Sequence, residues 1–214
     1  MEYIKEACVE GIQQAVNAER FGAHRIELCN HLEVDGLTPE ISTIKEVKEH
    51  LSIPIRVMIR PRSGDFVYTN EELRLMKEQI KACKTLKVDG VVFGILNSDN
   101  TLNIEKIKIL TRLAYPLKVV IHKAIDLTPN VCESLQELMT IKGVNTVLTS
   151  GGHSTAEKGK HVLKKMVELS ENKLEVLPAG KIDNQNINEL HKFVGARAYH
   201  GKKIVGRLDL TTQI

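Results

Sequence analysis

Short apolar segments alternate with amphipathic segments along the whole chain, and this alternation limits the folds that the sequence can adopt. Apolar segments that read as strands begin near residues 3, 24, 54, 89, 118, 145, 174 and 197, or about every 28 residues. Strands separated by helices pair in parallel, because a parallel connection needs a crossover. Eight such units are the number that closes a barrel. The sequence therefore predicts an α/β fold, a (β/α)8 TIM-like barrel forming one domain over residues 1–214.

A doubly wound open sheet is the alternative fold. It is disfavoured because no GxGxxG motif follows the first predicted strand. After His200 only fourteen residues remain, and they show no helical period. The eighth helix is therefore predicted to be missing or replaced. An uncovered flank of the barrel favours a partner subunit there, so we expect a homodimer.

Two threonines are predicted to begin helices. Thr38 precedes Pro39, which suits the N-cap and first position of a helix running to about residue 51. Thr69 is the predicted N-cap of a helix over 71–86.

Composition excludes several classes of partner. The formal net charge of +3 is too mild to indicate nucleic-acid binding, and with 4% aromatic residues little surface is available for stacking bases. No apolar run approaches the length of a membrane span, and no signal peptide is recognisable. With four cysteines in such a chain, we expect a cytoplasmic protein with reduced thiols, no nucleic-acid partner and no membrane partner.

Charged residues on the first three predicted strands share one face. Alternation places Glu6 with Cys8, and Arg25 with Glu27 and Cys29. Arg60 ends the third strand on the inward face, so Glu6, Glu27 and Arg60 are predicted to meet inside the barrel. Such a layer can be structural, since buried carboxylates must be paired, or catalytic, since active sites also concentrate such groups.

Cys8 and Cys29 are the candidate metal ligands. They lie near the ends of neighbouring strands, where two converging thiolates could hold a soft ion such as Cu(I). They could equally be small core residues. Cys83 and Cys132 fall on predicted helices and read as packing residues.

Other strand-end residues favour a small anion. Backbone N–H groups of Ser150, Gly151 and Gly152 suit a phosphate or carboxylate. The candidate anion-binding side chains are Arg60, Arg62 and Lys181, and the candidate catalytic groups are Glu6, Glu27, His122 and Asp126. A histidine on a strand can also be an ordinary hydrogen-bonded core residue, which is the alternative for His122.

Several motifs resemble those of one known family. GAHRIELC, DGLTPE, VMIRPRSGDF, IHKAID and LTSGG are similar to patterns of the copper homeostasis protein CutC family. The resemblance implies a TIM-like barrel, a cytoplasmic location, dimers, and copper handling through Cys8 and Cys29. The loops after the seventh and eighth strands, PAGKI and YHGKK, depart from the family pattern.

Two functions therefore stand as hypotheses. The first is a protein that binds Cu(I) and takes part in copper homeostasis. The second is a barrel enzyme acting on a small anionic substrate that carries a phosphate or carboxylate group. Zinc hydrolysis fits poorly, because no set of three histidines lies at the strand ends.

Overall fold

Eight parallel strands alternate with helices and form a nearly closed barrel. The computed structural model describes residues 3–171 and 173–209. Every neighbouring pair of strands is parallel, in the order β7-β6-β5-β4-β3-β2-β1-β8. The strands are β1 (Ile4–Glu10), β2 (Arg25–Cys29), β3 (Ile55–Met58), β4 (Gly90–Phe93), β5 (Lys118–Ile121), β6 (Val144–Thr149), β7 (Glu175–Pro178) and β8 (Ala198–Gly201). The predicted TIM-like barrel is confirmed, with all eight strands close to their predicted positions.

In the described part of the chain, seven α-helices lie between the strands. They are α1 (Gly11–Arg20), α2 (Ile41–His50), α3 (Asn70–Thr85), α4 (Ile104–Ala114), α5 (Val131–Met139), α6 (Ala156–Ser170) and α7 (Ile187–Val194). None of these described helices is both long and apolar enough to span a bilayer.

The two predicted helix caps have different outcomes. Thr69 is the N-cap of α3 and forms a capping box with Glu72, as the sequence indicates. Thr38 does not cap α2, which begins at Ile41 after Glu40. The Thr38 hydroxyl instead accepts a hydrogen bond from the backbone N–H of Arg60 at 2.8 Å. This tertiary contact ties the β2–α2 loop to the end of β3 and replaces the local capping bond.

Side chains along each strand point alternately to two apolar regions, one between the strands and the helices and one inside the barrel. Ile26 and Leu28 of β2 face outward and join the large core between the strands and the helices, as predicted. The inward residues form a smaller cluster inside the barrel, to which all eight strands contribute. This inner cluster consists of Cys8, Cys29, Met58, Val92, Val120, Leu148, Leu177, Ala179 and Ala198.

The chain closes the barrel without an eighth α-helix in its described part. Strands β7 and β8 are neighbours, but the hydrogen-bonded ladder does not continue between them. Beyond β8, Ile204 and Leu208 are buried, and the carbonyl oxygen of Leu208 accepts a hydrogen bond from Asn17 on α1 at 2.9 Å. An irregular segment therefore occupies part of the flank that an eighth helix would cover.

The capping box of α3 gives a test of the local structure. Replacing Thr69 with Ala removes the acceptor for the Glu72 N–H, so we expect the free energy of unfolding to fall by about 1 kcal/mol. Thr85→Ala on the same helix is the matched control, because Thr85 bonds only the carbonyl of Lys81 and alanine favours a helix. Urea unfolding measures both; equal stability of the two variants would contradict the capping role.

Candidate functional site

Glu6 lies at the centre of a buried group of charged side chains inside the barrel. Its carboxylate accepts hydrogen bonds from Arg25 Nε, from Arg56 Nη1 at 2.8 Å and from His200 Nδ1 at 2.9 Å. The side chain of Glu6 is 1% exposed, so these three donors take the place of water around its carboxylate. The sequence prediction of an inward Glu6 is confirmed.

Glu175 of β7 extends this group across the barrel. Arg25 Nη2 donates to Glu175 at 2.6 Å, and Arg56 Nη2 donates to Thr146 of β6 at 3.2 Å. We call Glu6, Arg25, Arg56, Glu175 and His200 the charged layer. It joins β1, β2 and β3 to β7 and β8, which lie on the two sides of the interrupted ladder.

The arginine from β3 in this layer is Arg56, and the prediction that Arg60 meets Glu6 and Glu27 is wrong. Inward positions two residues apart on a strand lie roughly 6.6 Å apart along it. Arg60 is four residues beyond Arg56 and follows the end of β3, so it lies near the mouth of the barrel. There its guanidinium donates to the carbonyl oxygens of Val34, Gly36 and Gly64.

Cys8 and Cys29 lie beside the charged layer with their sulfur atoms 4.0 Å apart. In the strand register Cys8 pairs with Glu27, so the two thiols are diagonal neighbours on β1 and β2. Barrel strands are staggered, which brings residues from different register positions together. Donor atoms of Cys8, Glu27 and Cys29 all lie within 4.8 Å of one another, and we call these three residues the thiol site.

His200 connects the thiol site to the charged layer. Its Nδ1 faces Glu6, and its Nε2 lies 3.4 Å from a Glu27 carboxylate oxygen. Burial alone would lower the pKa of His200, but the charge of Glu27 and hydrogen bonds to Cys8 and Glu6 raise it well above its usual value. A protonated imidazole at this position places a positive charge between two carboxyl groups and a thiol.

The pKa values of the two buried glutamates are shifted in opposite directions. Burial would raise the pKa of Glu6, but Arg56, His200 and Arg25 together hold it far below its usual value. Burial raises the pKa of Glu27 to about 8, with only His200 opposing it strongly. At neutral pH Glu6 is therefore ionised and Glu27 is largely protonated. One oxygen of Glu27, Oε1, has no hydrogen-bond partner among the described residues.

The two thiols also differ in acidity. The hydrogen bond from Cys29 lowers the pKa of Cys8, and the neighbouring His200 acts in the same direction. The hydrogen bond to Cys8 raises the pKa of Cys29, and burial raises it further. Cys8 is therefore the thiol that ionises first.

A short loop covers the thiol site from the side of the mouth. It contains a 3-10 helix at Leu32–Val34 and then Gly36, which has a φ of 88°. A Cβ atom at Gly36 would lie 3.1 Å from the sulfur of Cys29, so only glycine allows this approach without displacement. Lys202 Nζ donates to the carbonyl of Leu32 at 2.7 Å, and the guanidinium of Arg60 holds the far end of the loop.

The predicted anion loop after β6 is filled by a carboxylate of the chain itself. Asp126 accepts from the backbone N–H groups of Ser150 and Gly152, each at 2.9 Å, and from the hydroxyls of Thr149 and Ser150. The N–H of Gly151 binds Thr149. Asp126 belongs to a 3-10 helix at Lys123–Leu127 rather than to β5, so strand alternation does not apply to it.

The remaining candidate residues lie apart from the thiol site. Arg62 is paired with Glu72 and Asp65, and Lys181 is exposed at the start of the β7–α7 loop. His122 is buried beside Phe66 after β5. Among the described residues, no hydrogen bond or ion pair connects any of these three with Cys8 or Cys29.

Cys83 and Cys132 lie on helices, as predicted. Cys83 is buried in α3, and burial raises its pKa to about 12, which leaves the thiol inert at neutral pH. Cys132 is half-buried on α5.

Comparison with known proteins identifies the family of this chain. The model of the CutC family matches residues 3–205. The chain belongs to the CutC family. It is 38% identical over 198 residues to the human protein named copper homeostasis protein cutC homolog, covering 92% of this chain and 72% of the human one. A Treponema denticola CutC family protein is 36% identical over 214 residues, covering 100% of this chain and 87% of that one.

Solved structures give the same result for the fold. A CutC structure from Streptococcus agalactiae superposes with a TM-score of 0.90 and 31% identity, covering 95% of this chain and 100% of that one. An aldolase named QR15 has a TM-score of 0.70 at 9% identity, covering 95% and 92% of the two chains. The latter likeness shows the barrel fold alone.

Three residues of the charged layer were missed by sequence reasoning, namely Arg56, Glu175 and His200. His200 and Arg56 share the inward parity of Ala198 and Met58, so strict alternation on β8 and β3 was the signal available for them. Glu175 shares the inward parity of Leu177, so the same signal was available for it on β7.

The charged layer predicts a defined sensitivity to acid. Glu6→Gln removes the charge that compensates Arg25 and Arg56, and we expect it to lower the free energy of unfolding at pH 7 by about 3–5 kcal/mol. Because the folded pKa of Glu6 is depressed, its stabilisation is present above the ordinary value of 4.5 and is lost as pH falls below it.

Urea unfolding between pH 7 and pH 3 measures both effects. The parent should lose stability as pH falls, and Glu6→Gln should lose less over the same interval. Glu105→Gln is the control, since Glu105 is 82% exposed and should change stability by at most about 0.5 kcal/mol. Parallel pH profiles for the parent and Glu6→Gln would contradict the central role of Glu6.

Proposed function

We propose that this CutC family member binds Cu(I) at Cys8 and Cys29 and takes part in copper homeostasis. The observation that carries the proposal is a buried pair of thiols 4.0 Å apart, with a carboxyl group beside them. Thiolates are soft ligands and select Cu(I) over hard cations such as Mg²⁺ or Ca²⁺. The human and mouse relatives are named copper homeostasis protein cutC homolog, which supports the proposed role in copper homeostasis.

Glu27 supplies the third donor that this site offers. Its unpartnered Oε1 is buried, and an unpaired buried carboxyl oxygen lowers stability unless something occupies it. A cation at the thiol site would compensate the charge of Cys8 and would favour loss of the protons from Cys29 and Glu27. Copper uptake is therefore expected to release protons.

The covering loop bears on how an ion enters. Cys8 and Cys29 are 5% and 1% exposed, so an ion reaches the sulfur atoms only when a neighbouring segment moves. The loop around Leu32 and Gly36 is the segment in contact with Cys29, and it is fastened at both ends by cationic side chains. We assign the loop the role of a cover over the copper ligands.

The proposed copper ligands also bear on the location of the protein in the cell. Both thiols must stay reduced to bind Cu(I), which favours the cytoplasm. The homodimer expected from the absent eighth helix stays a prediction, and the segment around Ile204 and Leu208 reduces the uncovered area on which it was based.

The copper proposal is tested with two double variants. Cys8→Ser/Cys29→Ser should lower the affinity for Cu(I) by more than about 100-fold, which exceeds the usual effect of losing an outer-shell partner. Cys83→Ser/Cys132→Ser keeps the thiol site and should bind like the parent. The measurement is a competition titration of reduced protein against a Cu(I) chelator of known affinity.

Circular dichroism establishes that each double variant is folded before its affinity is compared. Equal Cu(I) affinity in the parent and both double variants would exclude the thiol site as the copper ligand.

A further inference from the structure

Three buried polar atoms at the mouth of the barrel have no hydrogen-bond partner in the part of the chain that the structure describes. They are Arg60 Nε, the Tyr68 hydroxyl and His122 Nε2. The three residues are 4%, 3% and 4% exposed, so water does not reach them freely. Buried polar groups in folded proteins are nearly always paired, and several unpaired atoms at one place call for a physical explanation.

The side chains of Arg60 and His122 pack against Phe66, and that of Tyr68 lies close to Arg60. We call Arg60, Tyr68 and His122 the mouth cluster. The guanidinium carbon of Arg60 lies 5.0 Å from the centre of the Phe66 ring, and the His122 ring centre lies 4.7 Å from it. Tyr68 follows two residues after Phe66. Burial raises the pKa of Tyr68 to about 12, and the charges of Arg60 and Arg62, together with the close approach of the Arg60 side chain to the hydroxyl, oppose this rise.

All three unpartnered atoms can donate a hydrogen bond. The backbone N–H of Ala124 donates to His122 Nδ1 at 3.1 Å, so in the neutral ring the proton lies on Nε2. Burial and the charge of Arg60 lower the pKa of His122 to about 3, which keeps the ring neutral. Arg60 Nε–H donates only, and the Tyr68 hydroxyl can donate as well. The mouth cluster therefore lacks an acceptor.

The mouth cluster also carries one uncompensated positive charge. Within the described part of the chain, the terminal nitrogen atoms of Arg60 bind only the backbone carbonyls of Val34, Gly36 and Gly64. No carboxylate among residues 3–171 and 173–209 forms an ion pair with Arg60, unlike Arg25, Arg56 and Arg62. A buried charge without a counter-charge is costly, so an anion is the favoured occupant.

We propose that the mouth cluster is a binding site for a small monocarboxylate, whose oxygens accept hydrogen bonds from Arg60 Nε, the Tyr68 hydroxyl and His122 Nε2. A single negative charge matches the one guanidinium, since His122 and Tyr68 are neutral. A phosphate dianion would leave excess negative charge in a buried place. This site shares only Arg60 with the anion-binding set predicted from the sequence, and it does not depend on copper.

The surroundings limit the size of the ligand. A Cβ atom at Gly94 would lie 2.6 Å from the ring of His122, so this ring rests directly on the backbone after β4. With the three donor side chains almost wholly buried, the site suits a carboxylate with few attached atoms. Formate and acetate are therefore the probes.

Tyr68→Phe is the variant that tests the site. It removes one unpartnered hydroxyl and keeps the ring against Arg62. Without a ligand the variant should be as stable as the parent or more so, because a buried unpartnered group is lost. Its affinity for acetate should fall at least about 10-fold, as expected for a hydrogen bond to a charged acceptor. Tyr115→Phe is the matched control, since Tyr115 is 77% exposed.

The affinity is measured by NMR titration of ¹⁵N-histidine-labelled protein, free of metal, with sodium acetate and sodium formate at constant ionic strength. The expected result is a saturable shift of the His122 Nε2 signal in the parent and in Tyr115→Phe, weakened in Tyr68→Phe. No saturable shift with either carboxylate, or an equal affinity in Tyr68→Phe, would overturn the proposal.

Competing anions separate a carboxylate site from a general anion site. Sodium chloride and sodium phosphate are titrated in the same way, and both should bind more weakly than acetate. Equal binding of chloride, or tighter binding of phosphate, would overturn the assignment to a monocarboxylate. Because no copper is present, these results leave the copper proposal to its own test.

Discussion

The buried carboxylate of Glu6 is the interaction on which the interior of this barrel depends. It lies among Arg25, Arg56 and His200, which come from three different strands, and it is withdrawn from water. An isolated charge in this position would cost several kcal/mol, so each partner must stay in place for the others to be tolerated. Glu175 completes the compensation from the far side. The layer thereby connects strands across the interior of the barrel. These include β7 and β8, which the hydrogen-bonded ladder does not join.

The same layer sets the chemistry of the thiol site through His200. One ring nitrogen faces Glu6 and the other faces Glu27, so the positive charge of the protonated imidazole, which Glu6 stabilises, lies beside the sulfur atoms. Glu27 has no arginine partner and is therefore largely protonated at neutral pH, whereas Glu6 is ionised. Two glutamates on neighbouring strands thus have different roles, because only one of them is surrounded by cations. This difference leaves a donor group beside the thiols that a cation can recruit.

Arg60 links the thiol site to the mouth cluster. Its terminal nitrogen atoms hold the loop that covers Cys29, while its Nε remains available beside Tyr68 and His122. One side chain therefore touches both the cover of the proposed copper site and the proposed carboxylate site. An anion bound to Nε would restrict the same guanidinium that fastens the loop, which gives the two sites a direct physical connection.

The sequence by itself determined the fold and the inward face of the first two strands. Periodicity decides where strands and helices lie, and alternation decides that Glu6, Glu27 and both cysteines point inward, because both properties are local. Only the tertiary structure decided which inward residues meet. The stagger of the strands brings Arg56 to Glu6 and leaves Arg60 at the mouth, and a 3-10 helix carries Asp126 into the loop after β6. The position of a residue along the axis of a barrel depends on the tilt of the strands and on the register between each pair of neighbours. These quantities accumulate over several strands, and no local pattern in the sequence encodes them.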